Sequence, residues 1–161
     1  MWELKSTDTG LLNDIKEYEG TKEAQIRLGY YKDGKYNVYL DTLNKKTIGF
    51  GHLVLEGEDF STGLTDEEAD ALLAKDLESK VNDARKLYEQ YKMTGGVEIQ
   101  KVLTQMVFQM GYKGVSAFTG TLGAMAKGDY KAAANGMRNS LWYKQTTSRA
   151  EKLARIVESE G

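Results

Sequence analysis

Cysteine and proline are absent from this chain, and histidine occurs once, at His52. Without cysteine there is no disulfide framework, no thiolate nucleophile and no cysteine-ligated zinc. A single imidazole excludes zinc amidases and metallopeptidases, which set two or more on one ion. Excess positive charge is also missing: 22 Lys and Arg face 24 Asp and Glu, a net charge of -2. Binding to a phosphate backbone selects for the opposite balance, so no nucleic-acid partner is expected. The longest stretch free of Asp, Glu, Lys and Arg runs from Gly114 to Ala126, 13 residues. A spanning helix needs roughly 20 apolar residues, so no stable membrane insertion is expected. The opening Met1–Gly10 carries acids where an export signal has a basic start and an apolar run. The expectation is therefore a chain made in a cytoplasm without its own export signal. What is present, 40% hydrophobic and 29% charged residues in a chain of 161, suffices for one domain or two small lobes with a closed core.

With no proline, glycine carries the punctuation. Asp8 or Thr7 can cap a first helix that runs to Glu19 and stops at Gly20, with Leu11, Leu12, Ile15 and Tyr18 as its apolar stripe. From Leu28 to Phe50 the residues favour strands (Tyr30, Tyr31, Tyr36, Val38, Tyr39, Thr47, Ile48), broken at Asp33-Gly34 and at Asn44-Lys45-Lys46. Two turns predict a small antiparallel sheet of about three strands. Thr65 and Glu68 form a capping box. Ala69, Leu73, Leu77, Val81, Ala84, Tyr88 and Tyr91 then recur at helical spacing. Taken to Lys92, that helix is about 42 Å long at ~1.5 Å per residue, long enough to join two lobes. Val97 to Met110 is apolar on nearly every side and predicts a central buried helix. Short glycine-separated helices follow, ending in a stripe of Leu153, Ile156 and Val157. The expected fold is α+β: helix 1 plus a sheet lobe over residues 10–64, a connecting helix over 65–92, and an all-helical lobe over 97–161.

Two phosphate-binding patterns fail on inspection. Gly29 to Lys35 has the spacing of a phosphate loop, but Tyr36 follows where Ser or Thr is required, and the segment reads as a hairpin. Gly49-Phe50-Gly51 lacks the third glycine of a dinucleotide fingerprint. Carboxylates are then the available catalysts. Hydrolysis of a glycosidic bond needs one protonated acid and one ionised partner. Glu19 suits the first role, because a helix C-terminus and an apolar stripe both disfavour a negative charge. Asp41, between Tyr39-Leu40 and a turn, sits in a polar setting that suits a charged group. Composition alone does not single out this pair among 24 acids.

The order of motifs does. Glu19-Gly20, Tyr39-Leu40-Asp41-Thr42 and Thr47-Ile48-Gly49-Phe50-Gly51-His52-Leu53 closely resemble the N-terminal site of the T-even (T4-type) phage lysozymes, the endolysins of glycoside hydrolase family 24. The second half agrees, with Met106-Val107-Phe108-Gln109-Met110-Gly111, Gly114-Val115, Phe118-Thr119, Trp142-Tyr143, Gln145-Thr146 and Arg149-Ala150. The resemblance implies a lysozyme-like two-lobe fold. It also implies a peptidoglycan hydrolase that cuts the β-1,4 bond between N-acetylmuramic acid and N-acetylglucosamine by inversion, for bacterial lysis. It assigns Glu19 as general acid and Asp41, helped by Thr47, as holder of the attacking water. It implies a cleft lined by Leu53, Phe108, Gln109 and Thr121, and glycan strands as partner of a monomer. Neither metal nor cofactor is expected, since positioning and two carboxyl groups suffice. Such an enzyme is made in the host bacterial cytoplasm and acts on the periplasmic wall once the membrane is permeabilised. A non-cutting murein- or partner-binding module, and a virion-borne or toxin-attached lysozyme, are the alternatives.

Three features depart from the family pattern. Glu19 and Asp41 are 22 positions apart, roughly a dozen more than usual, and the excess reads as a Tyr-rich hairpin that extends the small sheet, with Lys32 to Lys35 at its tip. Gly136 stands where the pattern has Asn, and Leu141 where it has Arg. The basic surface of the family is missing. Several residues read as structural: His52 pairing with Asp76 on the long helix, Trp142 and Tyr143 packing between helices. Phe108 can face either core or cleft, and Gly49 and Gly51 let the backbone approach substrate or bend the strand.

Overall fold

In the computed structural model, which describes residues 1–161, α1 spans Thr9–Glu19. Asp8 caps it by accepting the Leu11 N–H at 2.9 Å, and Gly20 ends it by donating to the Lys16 carbonyl at 3.0 Å. Leu11 and Ile15 are fully buried. A second helix, α2 (Lys22–Leu28), follows at once, ahead of the region that favours strands. Thr21 caps its start by accepting the Ala24 N–H, and Gly29, in the left-handed region, ends it.

The strands number five, in two sheets rather than one of three. Strands β1 (Tyr31–Lys32) and β2 (Lys35–Tyr36) form a hairpin on their own. Its turn, Asp33-Gly34, has both residues at positive φ, the geometry that suits two-residue hairpins. Strands β3 (Tyr39–Leu40), β4 (Lys46–Ile48) and β5 (His52–Leu53) form the other sheet, antiparallel throughout. The expected extension of the small sheet by the hairpin is thus incorrect. Tyr36 instead exchanges two backbone hydrogen bonds of 2.8 Å with Leu64, so the hairpin is tied to the approach to α3. The extra length between Glu19 and Asp41 is likewise a helix plus a hairpin, not a hairpin alone.

Helix α3 spans Asp66–Gln90. Its capping box forms as read: Thr65 N–H donates to Glu68 at 2.9 Å, and Glu68 N–H to the Thr65 hydroxyl at 3.2 Å. It stops short of Lys92, which adopts a positive φ. The compact units are Ser6–Glu78, and Met1–Lys5 together with Ser79–Gly161; the division falls within α3.

In the larger unit, α4 (Val97–Ser116) is the central helix, with Ile99, Val102, Leu103, Met106 and Val107 at most 1% exposed. It is interrupted at Gly111, whose φ is positive. Around it lie α5 (Thr119–Lys127), α6 (Tyr130–Arg138), α7 (Leu141–Gln145) and α8 (Thr147–Ser159). Met1–Lys5 joins this unit through Gln100, a buried amide that accepts the N–H groups of Glu3 and Leu4 and donates to the carbonyls of Met1 and Gly95. No helix is long and apolar enough to cross a membrane.

Candidate active site

Glu19 is the last residue of α1, so its carboxylate projects from a helix end onto the turn between β4 and β5. That turn, Gly49-Phe50-Gly51, follows from the register Ile48 opposite His52. A Cβ on Gly51 would stand 2.7 Å from Oε2 of Glu19 and 3.3 Å from its Cδ. Only the bare α-carbon leaves the carboxylate its place. What approaches Gly51 in the structure is the protein's own acid.

A residue of α2 fixes this arrangement. Gln25, 2% exposed, donates from Nε2 to the Gly20 carbonyl at 3.2 Å and to the Gly49 carbonyl at 3.0 Å. One amide thus staples the residue after Glu19 to the turn that the Glu19 carboxylate touches. The helix went unread in the sequence, and Gln25 with it; the available signal was the pair of caps, Thr21 and Gly29, on either side of seven residues.

Asp41 closes the β3–β4 hairpin. Its Oδ1 accepts the N–H groups of Leu43 at 2.8 Å and Lys45 at 2.9 Å, while its backbone N–H donates to the Lys45 carbonyl. Asn44 supplies the positive φ the short loop needs. The side chain is held rigidly through one oxygen, and Oδ2 takes no part in the turn. Thr47 lies across the ladder from Tyr39 on one side and Leu53 on the other. It is 3% exposed, and its hydroxyl donates to the Lys45 carbonyl at 3.1 Å. Leu53, on β5, is 46% exposed.

Tyr39, on β3, is partly buried. Its hydroxyl is held above the ordinary phenol value by burial first, and then by Glu19, Tyr30 and Asp41. Glu19 and Asp41 therefore act on one phenol, despite the segment inserted between them. Tyr30, from the inserted segment, stacks on Tyr39 with ring centres 4.2 Å apart and planes 5° from parallel. The pair of rings carries the chain past Glu19 and into β3.

His52 pairs with Asp76, as read. Nδ1 is 2.7 Å from Asp76 Oδ2, and Nε2 is 3.0 Å from Glu58 Oε1. Burial alone would lower its pKa, but the hydrogen bonds to Glu58 and Asp76 outweigh it and hold the value above that of a free imidazole.

The remaining expected contacts lie in the helical unit. Phe108 is partly buried, with the guanidinium of buried Arg149 5.9 Å from its ring centre. Gln109 accepts the indole N–H of Trp142 at 2.9 Å, and Trp142 itself is buried, which fits packing. Tyr143 donates to Glu151 at 2.9 Å. Thr121 is buried beneath Gly136, where any Cβ would collide with its Oγ1. A pocket of about 520 Å³ opens beside it, between Phe118, Ala132, Gly136 and Ser140.

Residues 31–158 match the family model described as phage lysozyme. The chain belongs to the phage lysozyme family. With it, the chain is placed among the glycoside hydrolases. The match takes in Asp41 and Thr47 and begins after Glu19. Among curated relatives, the pre-baseplate central spike protein of Enterobacteria phage T4 is 32% identical over 145 residues, 76% of this chain and 25% of that protein. A probable T4-type lysozyme of Dictyostelium discoideum is 26% identical over 156 residues, 82% of this chain and 91% of the relative. A peptidoglycan hydrolase of Pseudomonas phage phiKMV is 32% identical over 106 residues, 65% of this chain and 12% of that protein. The chain thus spans a quarter of the spike protein's length and nearly all of the Dictyostelium lysozyme's.

Proposed function

We propose that this phage-lysozyme-family chain hydrolyses the β-1,4 bond between N-acetylmuramic acid and N-acetylglucosamine of peptidoglycan, with inversion. Glu19 protonates the leaving oxygen. Asp41 holds and deprotonates the attacking water through Oδ2, since Oδ1 is engaged by Leu43 and Lys45. Thr47 keeps its hydroxyl proton on the Lys45 carbonyl, leaving oxygen lone pairs to receive a hydrogen of that water. The observation that carries the reading is the seat of the Glu19 carboxylate against Gly51, in the turn that joins the strand of Thr47 to that of Leu53. Leu53, Phe108, Gln109 and Thr121 contact the glycan, and the active species is a monomer.

The test is clearance of outer-membrane-permeabilised Gram-negative cells, with NMR of the first reducing sugar released. Glu19→Gln and Asp41→Asn each abolish most lysis while unfolding as wild type, and the first product is the α-anomer. A folded Glu19→Gln protein that clears cells at the wild-type rate overturns the acid assignment, and an initial β-anomer overturns the water role.

The native setting in this reading is the host cytoplasm, with access to the wall after permeabilisation. The likeness to a segment of a central spike protein supports a second setting, the same chemistry borne on a virion. Mass spectrometry of purified particles separates the two.

A further inference from the structure

Tyr39, Thr47 and Leu53 lie in one row across the sheet of β3, β4 and β5. The ladder continues past β3, where the Asp41 N–H donates to the Lys45 carbonyl at 2.9 Å. Side chains alternate along a strand, so Asp41, two residues after Tyr39 and about 7 Å along, lies on the same face. That face thus carries Asp41, Thr47 and Leu53, which the hydrolase reading sets against the glycan. Its β3 edge is aromatic. Tyr30, from the inserted segment, stacks on Tyr39 with ring centres 4.2 Å apart and planes 5° from parallel.

Neither residue belongs to the core. Both are half-buried, whereas Tyr36, which packs inward from the same segment, is 2% exposed. The backbone of Tyr30 is fixed without help from its ring. Its N–H donates to the Gln25 carbonyl at 2.8 Å, and its carbonyl accepts the backbone N–H of Asn37 at 3.0 Å and the Asn37 side-chain amide at 3.1 Å. The stack is therefore an aromatic surface that the fold holds rigidly and does not bury. Such a surface suits a flat ligand with apolar faces and polar edges. A β-1,4-linked pyranose is one: its substituents are equatorial, and its axial C–H groups form two apolar faces. A peptide stem, which carries carboxylates, gains no ion pair from uncharged rings. Because the rings are ordered before binding, stacking on them loses little conformational entropy.

We propose that Tyr30, backed by Tyr39, is a stacking platform for a pyranose ring of the glycan strand, beside the sugar on which Asp41 acts. The sugar lies on the face of Tyr30 turned away from Tyr39, and the inserted segment thereby extends the grip on the strand by one sugar. The inference deepens the hydrolase reading and rests on it for the identity of the ligand. Tyr30 determines which strands are held, and it takes no part in the proton transfers.

The test has two arms. The first is NMR of the Glu19→Gln protein with a peptide-free tetrasaccharide of alternating N-acetylglucosamine and N-acetylmuramic acid. Upfield ring-current shifts of sugar C–H signals are expected, and they are expected to vanish when Tyr30→Leu is added. Absence of such shifts, or shifts unchanged by Tyr30→Leu, overturns the platform whatever the enzyme does. The second arm measures kcat and KM on long peptide-free strands and on the shortest oligosaccharide that wild type cleaves. Tyr30→Leu is expected to raise KM about fivefold on the long strands, the scale of one aromatic contact, with kcat unchanged. On the shortest substrate it changes neither. Tyr30→Phe, which keeps the ring, is expected to match wild type on both. A Tyr30 that merely supported the fold around Asp41 would lower kcat at every length. That result, or an equal rise in KM at both lengths, overturns the proposal. Ring-current shifts in the first arm with no cleavage of any strand by wild type overturn instead the hydrolase reading on which the ligand's identity rests.

Discussion

Oε2 of Glu19 lies over the α-carbon of Gly51, at 2.7 Å from where a methyl group would stand. The acid at the end of α1 is therefore positioned by what the β4–β5 turn lacks. Gly51→Ala has two effects: the carboxylate must move, and a non-glycine residue must adopt a φ of +86°.

Gly57 separates them. Its φ is +89°, and a methyl group there would meet nothing within 4 Å. Both alanine variants should lose about 1–2 kcal/mol in urea unfolding, the cost of a left-handed alanine. Only Gly51→Ala should also lose activity, by tenfold or more on the ~1.4 kcal/mol-per-decade scale. Equal activity in the two variants means that the seat of the Glu19 carboxylate does not matter to the chemistry.

Gln25 predicts a defect of position. Replacing it with Ala leaves the Gly20 and Gly49 carbonyls without their shared donor. Stability should fall by about 1–3 kcal/mol for buried groups left unsatisfied. kcat should fall while KM changes little, because the amide touches no substrate. Gln25→Glu, which cannot donate when ionised, should be at least as damaging. A KM defect with unchanged kcat would mean that Gln25 does not hold the acid in place.

How far these residues could be read in advance follows from the range of their interactions. Asp8, Gly20, Thr65 and Glu68 are capping residues whose partners lie within four positions, and each was legible with its helix. The Asp33-Gly34 turn was legible for the same reason. Helix α2 was not, because its seven residues contain too few turns to set an apolar rhythm, and Tyr30 to Val38 beyond it read as strand. Where the hairpin attaches depends on Leu64, 28 positions from Tyr36, and no local pattern encodes that pairing. In the site, Glu19, Asp41 and Thr47 were named from family order. Their supports, Gln25, Gly51 and Tyr39, act across turns of the chain. Met1–Lys5 was silent in sequence because its anchor, Gln100, lies nearly a hundred residues away.

His52 predicts a pH signature. Its folded pKa is raised, so the stability it contributes is complete below the unfolded value of 6.5 and is lost as pH rises through the folded value. Glu58 is lowered, first by the Leu55 N–H and then by His52, so its contribution is present above 4.5 and lost as pH falls through its folded value. The two windows overlap in mild acid. Denaturation of wild type and His52→Gln at about pH 5.5 and about pH 9 should show the larger gap at the lower pH. A gap independent of pH would mean that packing against Phe60, 5.6 Å away, accounts for the contribution of His52.

Gly136 and Thr121 predict a coupling. Gly136 lies inside α6, where alanine is favoured over glycine by about 1 kcal/mol. Thr121, on α5, places Oγ1 where that alanine's methyl would go, while its Cβ, at 3.5 Å, is no obstacle. The Thr121 side chain can give way only by turning about χ1, and two of its three rotamers set a heavy atom against α6; a β-branched residue on a helix resists the turn. Gly136→Ala should therefore be neutral or destabilising in the wild-type background. In a Thr121→Ala background the obstacle is gone, and the same change should stabilise by up to about 1 kcal/mol. A double-mutant cycle by chemical denaturation measures the difference directly. The Asn that the family pattern places at this position is longer still and should be tolerated only with Thr121→Ala. If Gly136→Ala has the same effect in both backgrounds, Thr121 is not what keeps position 136 free of a side chain.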